Sequence, residues 1–331
     1  MSYQRFAAHA PELRTLTCGA IEEADEVMHE MIGWDLELRQ LDDGPFRSDL
    51  TVAKIGKTVF LWQRFNRAVQ TVLHPPEGLE VLVLPIHDGG KIRLSGDNLA
   101  NNELLVMPKG SEADLVSGHH AGTDCIFLPE GRLTGMLETL RPTPVSLKPR
   151  KAAIVHGNKA RMQAIHKAIA RLIAETPSRG ARKRVDHLVT EAIAWMGESS
   201  SHWRLEGSTV NRPNRRTAKQ AQKIIETRYR RPVRLDDLCC ATGVGMRSLQ
   251  RSFHDYFSLT ITDYLKAVRL NGARRELVAA DPGSTTVSAI ARKNGIPHPG
   301  RFSVEFRKRF GECPSEVLAE KAAPRRRRSA Y

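Results

Sequence analysis

The hydrophobic pattern changes twice along the chain, and each change predicts a different kind of structure. Residues 21–31 repeat apolar positions at spacings of three and four among acidic residues, which predicts one amphipathic helix. From Trp34 to Leu128, short runs of β-branched and aromatic residues alternate with turns such as Asp43-Gly-Pro. The predicted strands cover residues 35–41, 50–55, 58–65, 79–86, 92–94, 103–107, 113–116 and 125–128. Many short strands at this spacing favour a sandwich or a jelly-roll barrel over a βαβ fold.

The middle of the chain returns to a helical pattern. Apolar residues at spacings of three and four predict helices over residues 152–174 and 183–196, each with one apolar seam. The seams pack either against the β-rich region or against a second subunit, and we favour the second subunit, in a homodimer. The polar run 198–216 predicts a linker between two domains.

The last third of the chain contains one pattern twice: a short apolar helix, a glycine turn and a basic helix. The first copy begins at Leu235 and turns at Gly243, and the second begins at Val287 and turns at Gly295. Both copies predict helix-turn-helix units. The 19 residues 261–279 between them predict a helix about 28 Å long at ~1.5 Å per residue, which holds the two basic helices roughly one duplex turn apart.

The basic helix of each copy has an apolar stripe and a basic face. Leu249 and Phe253 belong to the stripe of the first helix, and Phe302, Phe306 and Phe310 to that of the second. The candidate DNA-binding residues on the opposite faces are Arg247, Gln250, Arg251 and His254 in the first copy and His298, Pro299, Gly300, Arg301, Val304, Arg307 and Lys308 in the second. Arginine pairs with guanine and glutamine with adenine in the major groove, and the backbone N–H groups at the start of the second helix suit a phosphate.

The excess positive charge of the chain lies entirely in this last third. Residues 212–331 hold 26 Lys and Arg against 11 Asp and Glu, a net charge of +15. The other 211 residues carry a net charge of −1, so the +14 of the whole chain is concentrated at one end. Duplex DNA is the kind of partner that this asymmetry predicts, because neutralised phosphates release counterions.

Three runs of residues make the last third more specific than a single helix-turn-helix pattern. They are Leu249-Gln-Arg-Ser-Phe253, Tyr264-Leu-Lys-Ala-Val-Arg269 and Ala289-Ile-Ala-Arg-Lys-Asn-Gly-Ile, the last continued by Arg301-Phe-Ser-Val-Glu-Phe-Arg-Lys-Arg-Phe-Gly-Glu-Cys-Pro314. Over about 100 residues, the segment resembles the DNA-binding domain of AraC/XylS-type bacterial transcription regulators. The resemblance implies base contacts by Arg247, Gln250 and Arg251, and by Pro299, Gly300, Arg301 and Val304. It also implies that the β-rich region is a cupin-like effector or dimerisation domain.

Three features depart from the usual pattern of that family. Val304 stands where a polar or basic residue is common. The second basic helix therefore either recognises thymine methyl groups through Val304 or contributes mainly phosphate contacts. His298-Pro-Gly replaces the usual polar start of that helix. Gly272 lies inside the connecting helix, where glycine costs about 1 kcal/mol relative to alanine, and we expect it to loosen the relative placement of the two units.

The sequence of the β-rich region contains no catalytic or metal-binding motif. Its histidines are scattered without a His-x-His pair, so neither a metal ion nor a cofactor is predicted. Phe60 and Trp62 alternate along one predicted strand and are candidates to line a small-molecule pocket inside the barrel. Packing in the core explains the two aromatic residues equally well.

Together these patterns predict an α+β multidomain architecture. Its units are a cupin-like β-barrel or jelly roll with helices over residues 1–140, a helical pair over 141–197, the linker 198–216, an all-α domain with two helix-turn-helix units over 217–320, and a basic tail over 321–331. Arg325-Arg-Arg-Arg328 in the tail is either a phosphate-binding arm or a solvated end. Five cysteines without CxxC spacing predict reduced core thiols. No apolar run is long enough for a membrane span or a secretory signal, so we expect a cytoplasmic protein.

The leading hypothesis is a dimeric, sequence-specific transcription regulator that responds to a small-molecule effector and reads two adjacent major grooves. Its expected partners are double-stranded DNA, the effector, a second copy of the chain and, if it activates, RNA polymerase. No enzymatic activity is expected. Two alternatives remain: a cupin enzyme tethered to DNA, and a protein that binds DNA without sequence preference.

Overall fold

The computed structural model describes residues 13–34, 36–87, 90–133, 135, 151–174, 181–198, 203–205 and 212–320. The strands are β1 (Leu13–Cys18), β2 (Glu37–Gln40), β3 (Ser48–Ile55), β4 (Thr58–Phe65), β5 (Val69–Leu73), β6 (Leu79–His87), β7 (Ile92–Leu94), β8 (Asp97–Leu99), β9 (Glu103–Met107), β10 (Ala113–Ser117), β11 (Ala121–Pro129), β12 (Ala153–His156) and β13 (Trp203–Leu205). The helices are α1 (Ile21–Ile32), α2 (Lys159–Ala174), α3 (Ala181–Glu198), α4 (Arg212–Arg228), α5 (Leu235–Thr242), α6 (Met246–Phe257), α7 (Ile261–Ala279), α8 (Val287–Lys293), α9 (Pro299–Phe310) and α10 (Pro314–Glu320). A β-rich half followed by an all-helical domain confirms the predicted α+β class.

The strands form two antiparallel sheets. The larger has the order β1-β3-β4-β11-β6-β9-β12-β13, and the smaller has the order β2-β5-β10-β7-β8. One apolar core joins them, with Leu61 and Val83 from the larger sheet and Ile92 and Leu115 from the smaller. No strand pairing connects the two sheets among the described residues, so they form an open sandwich, one of the two predicted forms, and the cupin-like barrel is not closed.

The helical pair α2 and α3 covers the other face of the larger sheet. Met162 of α2 and Val189 of α3 are buried with Phe60, Leu82 and Ile126 of the sheet. The apolar seams that we had assigned to a subunit contact are therefore buried within one protomer. The homodimer stays a prediction and needs another surface.

Five of the described strands were not predicted: β1, β5 and β8 within the β-rich region, and β12 and β13 where a helix and a linker were expected. The predicted helix over 152–174 begins with β12 instead, because Ala153 to His156 extend the larger sheet beside β9, with Ala153 opposite Val106. The predicted linker 198–216 contains β13 and the start of α4. The connector 141–150 and the basic tail 321–331 with Arg325 to Arg328 lie outside the described residues.

The helical domain has two cores that share α7. The first core includes Leu249, Phe253 and Tyr264, and the second includes Phe302 and Phe306. Because α7 contributes Tyr264 to one core and Leu277 to the other, it connects the two helix-turn-helix units as a common support.

The cysteines are unpaired, and two of them are core residues as predicted. Burial raises the pKa of the Cys18 and Cys125 thiols to about 12, so both stay protonated at neutral pH. Cys240 is exposed, so the prediction of a core thiol was wrong for this residue. In the part of the chain that is described, no helix is long and apolar enough to cross a membrane.

Candidate nucleic-acid interface

The first helix-turn-helix unit consists of α5, a glycine turn and α6. Gly243 follows α5 in the left-handed region at φ 70°, and its N–H donates to the carbonyl oxygen of Cys239. The inward face of α6 carries the buried residues Leu249, Ser252, Phe253, Tyr256 and Phe257. The predicted DNA-binding residues Arg247, Gln250, Arg251 and His254 are all exposed. Their spacing places them on one accessible surface of the helix.

The second unit consists of α8, a turn at Gly295 and α9. Gly295 takes φ 76°, and a Cβ there would lie 2.5 Å from the carbonyl oxygen of Tyr229, so only glycine fits. The rings of Phe302, Phe306 and Phe310 pack in succession on the inner face, with centroids 5.4 and 4.7 Å apart. On the outer face His298, Gly300, Arg301, Val304, Arg307 and Lys308 are exposed, and Pro299 is half-buried.

Val304 is an unusual residue on this outer face. It is 70% exposed, and within the described ranges Leu13, at 40%, is the only other large hydrophobic side chain that is exposed. The C5-methyl group of thymine is the apolar feature of the major groove that a valine can contact. The exposure of Val304 on a basic helix therefore favours a thymine contact over a helix that binds only phosphate.

Helices α6 and α9 carry the predicted DNA-binding faces, and we call them the reading helices. Carboxylates on these helices contact some of the cations that were predicted to bind DNA. Glu305 Oε1 lies 2.9 Å from Arg301 Nε and 3.3 Å from Lys266 Nζ. Asp255 Oδ2 lies 3.9 Å from Arg251 Nε. Exposed pairs of this kind contribute about 0–1 kcal/mol, so the arginines can exchange them for a base or a phosphate at little cost.

The support between the units is α7, whose bounds Ile261–Ala279 are those predicted. Gly272 in its middle is buried, and an added Cβ would lie 2.8 Å from Asn294 Oδ1 and 3.0 Å from Tyr229 Oη. The structure therefore corrects the expectation that Gly272 loosens the two units. The missing side chain lets the end of α8 and the end of α4 approach α7, which fixes the second unit on its support.

Four residues join the β-rich half to α4 and α7, the helices that pack around the first unit. We call them the Tyr264 network: Arg39, Gln70, Glu226 and Tyr264. The Tyr264 hydroxyl lies 2.7 Å from Glu226 Oε1, 2.9 Å from Gln70 Oε1 and 2.6 Å from Arg39 Nη1. Arg39 also forms an ion pair with Glu226. Burial alone would raise the pKa of Glu226, but Arg39 and the hydrogen bond from Tyr264 outweigh burial and lower that pKa.

Asp114 on β10 extends this network. Its side chain is 2% exposed, and Lys219 Nζ of α4 lies 2.7 Å from Oδ2. Gln70 Nε2 donates to Oδ1 at 3.0 Å, and the Tyr256 hydroxyl of α6 donates to Oδ2 at 3.4 Å. The β-rich half thus contacts the inner side of the first unit and leaves the predicted reading face of α6 exposed.

The second unit meets the β-rich half through what we call the Asp43 contact. Asp43 Oδ1 lies 2.9 Å from Arg309 Nε, and Oδ2 lies 3.0 Å from Lys308 Nζ. Arg309 is nearly buried and also donates to the carbonyl oxygen of Gln40. Lys308, which was predicted to bind DNA, lies near the C-terminal end of α9 and forms an ion pair there with Asp43 of the β-rich half.

The two predicted ligand-binding residues lie on the same face of β4 but in different surroundings. Phe60 is 1% exposed in the core beneath the helical pair. Trp62 is half-buried and lines a cleft between the larger sheet and α2. Both residues face the helices and not the space between the two sheets, so the expected position inside a barrel is corrected. The described residues contain no group of three or more His, Cys, Asp or Glu that is placed to hold a metal ion.

Comparisons with known proteins converge on the helical domain. Residues 238–320 match the family model described as "Helix-turn-helix domain". The "Probable thc operon regulatory protein" of Rhodococcus erythropolis is 37% identical over 98 residues, which are 30% of this chain and 30% of that protein. The "XylDLEGF operon transcriptional activator 2" of Pseudomonas putida is 28% identical over 97 residues, which are 29% of this chain and 62% of that protein.

One solved structure matches about a third of the chain. It is a "probable AraC family transcriptional regulator" from Rhodopseudomonas palustris, with 32% identity and a TM-score of 0.30, and the match covers 33% of this chain and 98% of that one. The chain spans 30% and 62% of the two curated relatives, less than two thirds of either length. The similarity is therefore one of the DNA-binding domain.

Proposed function

The carboxy-terminal domain of this chain is a DNA-binding domain of the AraC/XylS type, and from that premise we propose that the whole protein is a sequence-specific transcription regulator. Its two reading helices, α6 and α9, enter adjacent major grooves on one side of the duplex. The β-rich half binds a small-molecule effector. The protein acts in the bacterial cytoplasm as a homodimer, which matches the repeated half-sites of an operator.

The observation that carries this proposal is the exposure of two basic helix faces on one support. Arg247, Gln250 and Arg251 of α6 and Arg301 and Val304 of α9 are exposed, although both helices are otherwise packed into aromatic cores. The 19 residues of α7 span about 28 Å, close to the roughly 34 Å between successive major grooves. A protein that only coats DNA has no need of two matched reading faces at this spacing.

The β-rich half supports a regulatory role because it contacts both units. Through the Tyr264 network and the Asp43 contact, a change in this half reaches α7 on one side and α9 on the other. Similar proteins are described as activators of transcription. We extend that role to this chain, with RNA polymerase as the further partner and with no enzymatic activity of its own.

The test is a titration of the full chain with fluorescent duplexes, one from its own upstream region and one of random sequence. Arg247→Ala and Arg251→Ala should each weaken binding to the upstream duplex by about 5- to 150-fold, because each removes a candidate base contact. Arg275→Ala is the matched control, since Arg275 is an exposed arginine on α7 that lines a cavity against α1 and β2. Its affinity should stay within about twofold of the parent chain.

The competition between the duplexes separates the hypotheses. A sequence-specific regulator prefers its operator over random DNA by about 1,000-fold or more. Equal affinity for both duplexes, with a steep salt dependence, would identify a non-specific DNA-binding protein. Loss of affinity in Arg275→Ala equal to that in Arg251→Ala would place the reading face elsewhere.

A further inference from the structure

The cleft beside Trp62 has a volume of about 520 Å³ and lies between α2 and three neighbouring strands, β4, β11 and β6. Strand register explains its shape. Asp124 on β11 stands between Trp62 on β4 and Leu84 on β6. Two residues along the same face, Gly122 stands between Arg64 and Ile86. A Cβ at Gly122 would lie 2.3 Å from the Gln63 carbonyl oxygen and 2.9 Å from Arg64 Cγ, so the Arg64 side chain lies over Gly122, and the cleft opens above this row, beneath α2.

Asp124 is a buried carboxylate that packing does not explain. Its side chain is 4% exposed, and Oδ2 lies 2.6 Å from His166 Nδ1 of α2. Oδ1 is also buried, and no described residue donates a hydrogen bond to it. Burial raises the pKa of Asp124 in spite of His166. A buried carboxylate oxygen without a donor is costly, so its place in the wall of a cleft indicates a ligand that supplies the donor.

The rest of the lining has the opposite charge and one aromatic surface. Lys159 and Lys167 extend from α2, and Arg64 Cζ lies 5.0 Å from the Trp62 ring centroid. Of the described residues that line the cleft, Asp124 is the only carboxylate. The cleft therefore offers an aromatic ring with a guanidinium over one face, one acceptor at depth and several cations at the rim.

We propose that this cleft binds a small organic anion with a planar ring that carries an N–H or O–H donor. The ring packs on Trp62, the donor meets Asp124 Oδ1, and the anionic group lies between Lys159 and Lys167. This inference rests on the proposed function, because it gives the effector a site and a chemical class. It places the effector beneath α2, on the face of the larger sheet that is turned away from the smaller sheet.

The test uses isothermal titration calorimetry on the full chain with three matched compounds. Indole-3-acetate has the ring, the N–H donor and the carboxylate. 1-Methylindole-3-acetate lacks the donor, and indole-3-acetamide lacks the charge. Indole-3-acetate should bind with a dissociation constant of about 1 mM or tighter, as expected for a fragment of this size. Each of the other two should bind about tenfold more weakly, since each leaves one polar partner unpaired.

Variants locate the binding. Lys167→Gln should weaken indole-3-acetate by about tenfold and leave indole-3-acetamide unchanged, because it removes only the partner of the carboxylate. Trp62→Leu should weaken all three compounds. Arg161→Gln is the matched control, because Arg161 is exposed on the same helix outside the cleft. Lys167 is itself exposed, so its substitution reports on binding even if Trp62→Leu alters the fold.

Absence of measurable heat with indole-3-acetate, equal affinity for the three compounds, or equal effects of Lys167→Gln and Arg161→Gln would each overturn the assignment. These measurements contain no DNA, so they are independent of the test of the proposed function. A chain that selects its operator but ignores the compounds loses only this inference. A chain that binds indole-3-acetate in the cleft but does not select DNA loses only the proposed function.

Discussion

The two helix-turn-helix units are attached to the β-rich half by contacts of different character. The Tyr264 network is buried at its centre, with Tyr264 at 0% and Asp114 at 2% exposure, and Glu226 at its edge is 32% exposed. The Asp43 contact is open to solvent on one side, where Asp43 and Lys308 are 31% and 70% exposed, and buried on the other, where Arg309 is 4% exposed and binds Gln40. Hydrogen bonds in a buried network are costly to leave unmade, whereas exposed ion pairs are weak and screened by salt.

This difference indicates how the reading helices are controlled. The first unit shares buried polar groups with the β-rich half, so the two move together. The second unit packs on α7 around Gly272, and it contacts the β-rich half through buried hydrogen bonds between Arg309 and Gln40 and through the exposed ion pair of Lys308 with Asp43. We infer that the exposed pair of Lys308 and Asp43 is the part of these attachments that salt weakens first, while the buried groups hold α6 and the C-terminal end of α9 against the β-rich half.

The strongest way to break this comparison is Gly272→Ala. The new methyl group would contact Asn294 Oδ1 and Tyr229 Oη, so we expect a loss of about 1–3 kcal/mol in the free energy of unfolding. Urea denaturation measures that loss. Because the second unit is displaced, affinity for a duplex that both units of one subunit contact should fall more than affinity for a shorter duplex that only the first unit contacts.

Gly19→Ala controls for the general effect of adding a methyl group, because a Cβ there meets only Glu23 Oε2 at 4.0 Å. Its unfolding free energy should change by less than about 1 kcal/mol. A stability of Gly272→Ala equal to or above that of the parent chain would restore the earlier expectation that this glycine only weakens the helix.

The helical half was predictable from sequence because its signals are local. Apolar residues at spacings of three and four give α7 its observed bounds, and Gly243 and Gly295 give the turns of both units. The exposed faces of α6 and α9 follow from the same periodicity, since the buried stripe fixes the opposite side. Each of these features can be recognised from residues that are close together in the sequence.

The β-rich half was harder because buried polar residues disrupt the alternation. Strand β5, which was missed, carries Gln70 and Thr71, both buried and the first of them in the Tyr264 network. Arg39 and Tyr264 are 225 positions apart, so no local sequence pattern predicts their contact. The same holds for Asp124 and His166, which meet only when α2 folds over the sheet. Long-range polar partners are what the sequence alone could not supply.

A smaller effect is expected when the Tyr264 network loses one hydroxyl group. Tyr264→Phe keeps the ring in its aromatic core but removes the single hydroxyl proton available to Gln70 and Glu226 and one acceptor of Arg39, which should cost about 1–2 kcal/mol of unfolding free energy. Urea denaturation at low and high salt should give nearly the same loss, because the hydroxyl group that is removed carries no charge and Tyr264 is fully buried. Tyr229→Phe is the matched control, with an expected loss near zero, since its hydroxyl contacts only the exposed Arg230 among the hydrogen bonds of the described chain. A loss in Tyr264→Phe that disappears in high salt would contradict the distinction between the two contacts.

The smallest effect is expected at the Asp43 contact, and it should depend on both salt and pH. Asp43→Asn should cost at most about 1 kcal/mol at pH 7 and less in high salt, because the ion pairs with Lys308 and Arg309 are partly exposed.

Burial alone would raise the pKa of Asp43, but Lys308 and Arg309 outweigh burial and lower that pKa. A carboxyl group whose pKa is lower in the folded state stabilises the fold fully above its unfolded pKa of about 3.9 and loses that contribution as pH falls through the folded value. The difference in unfolding free energy between the parent chain and Asp43→Asn should therefore be constant from pH 7 to about pH 5 and shrink as the pH falls through the lowered pKa of Asp43. A difference that grows on acidification would mean that Asp43 stabilises the second unit by something other than its charge.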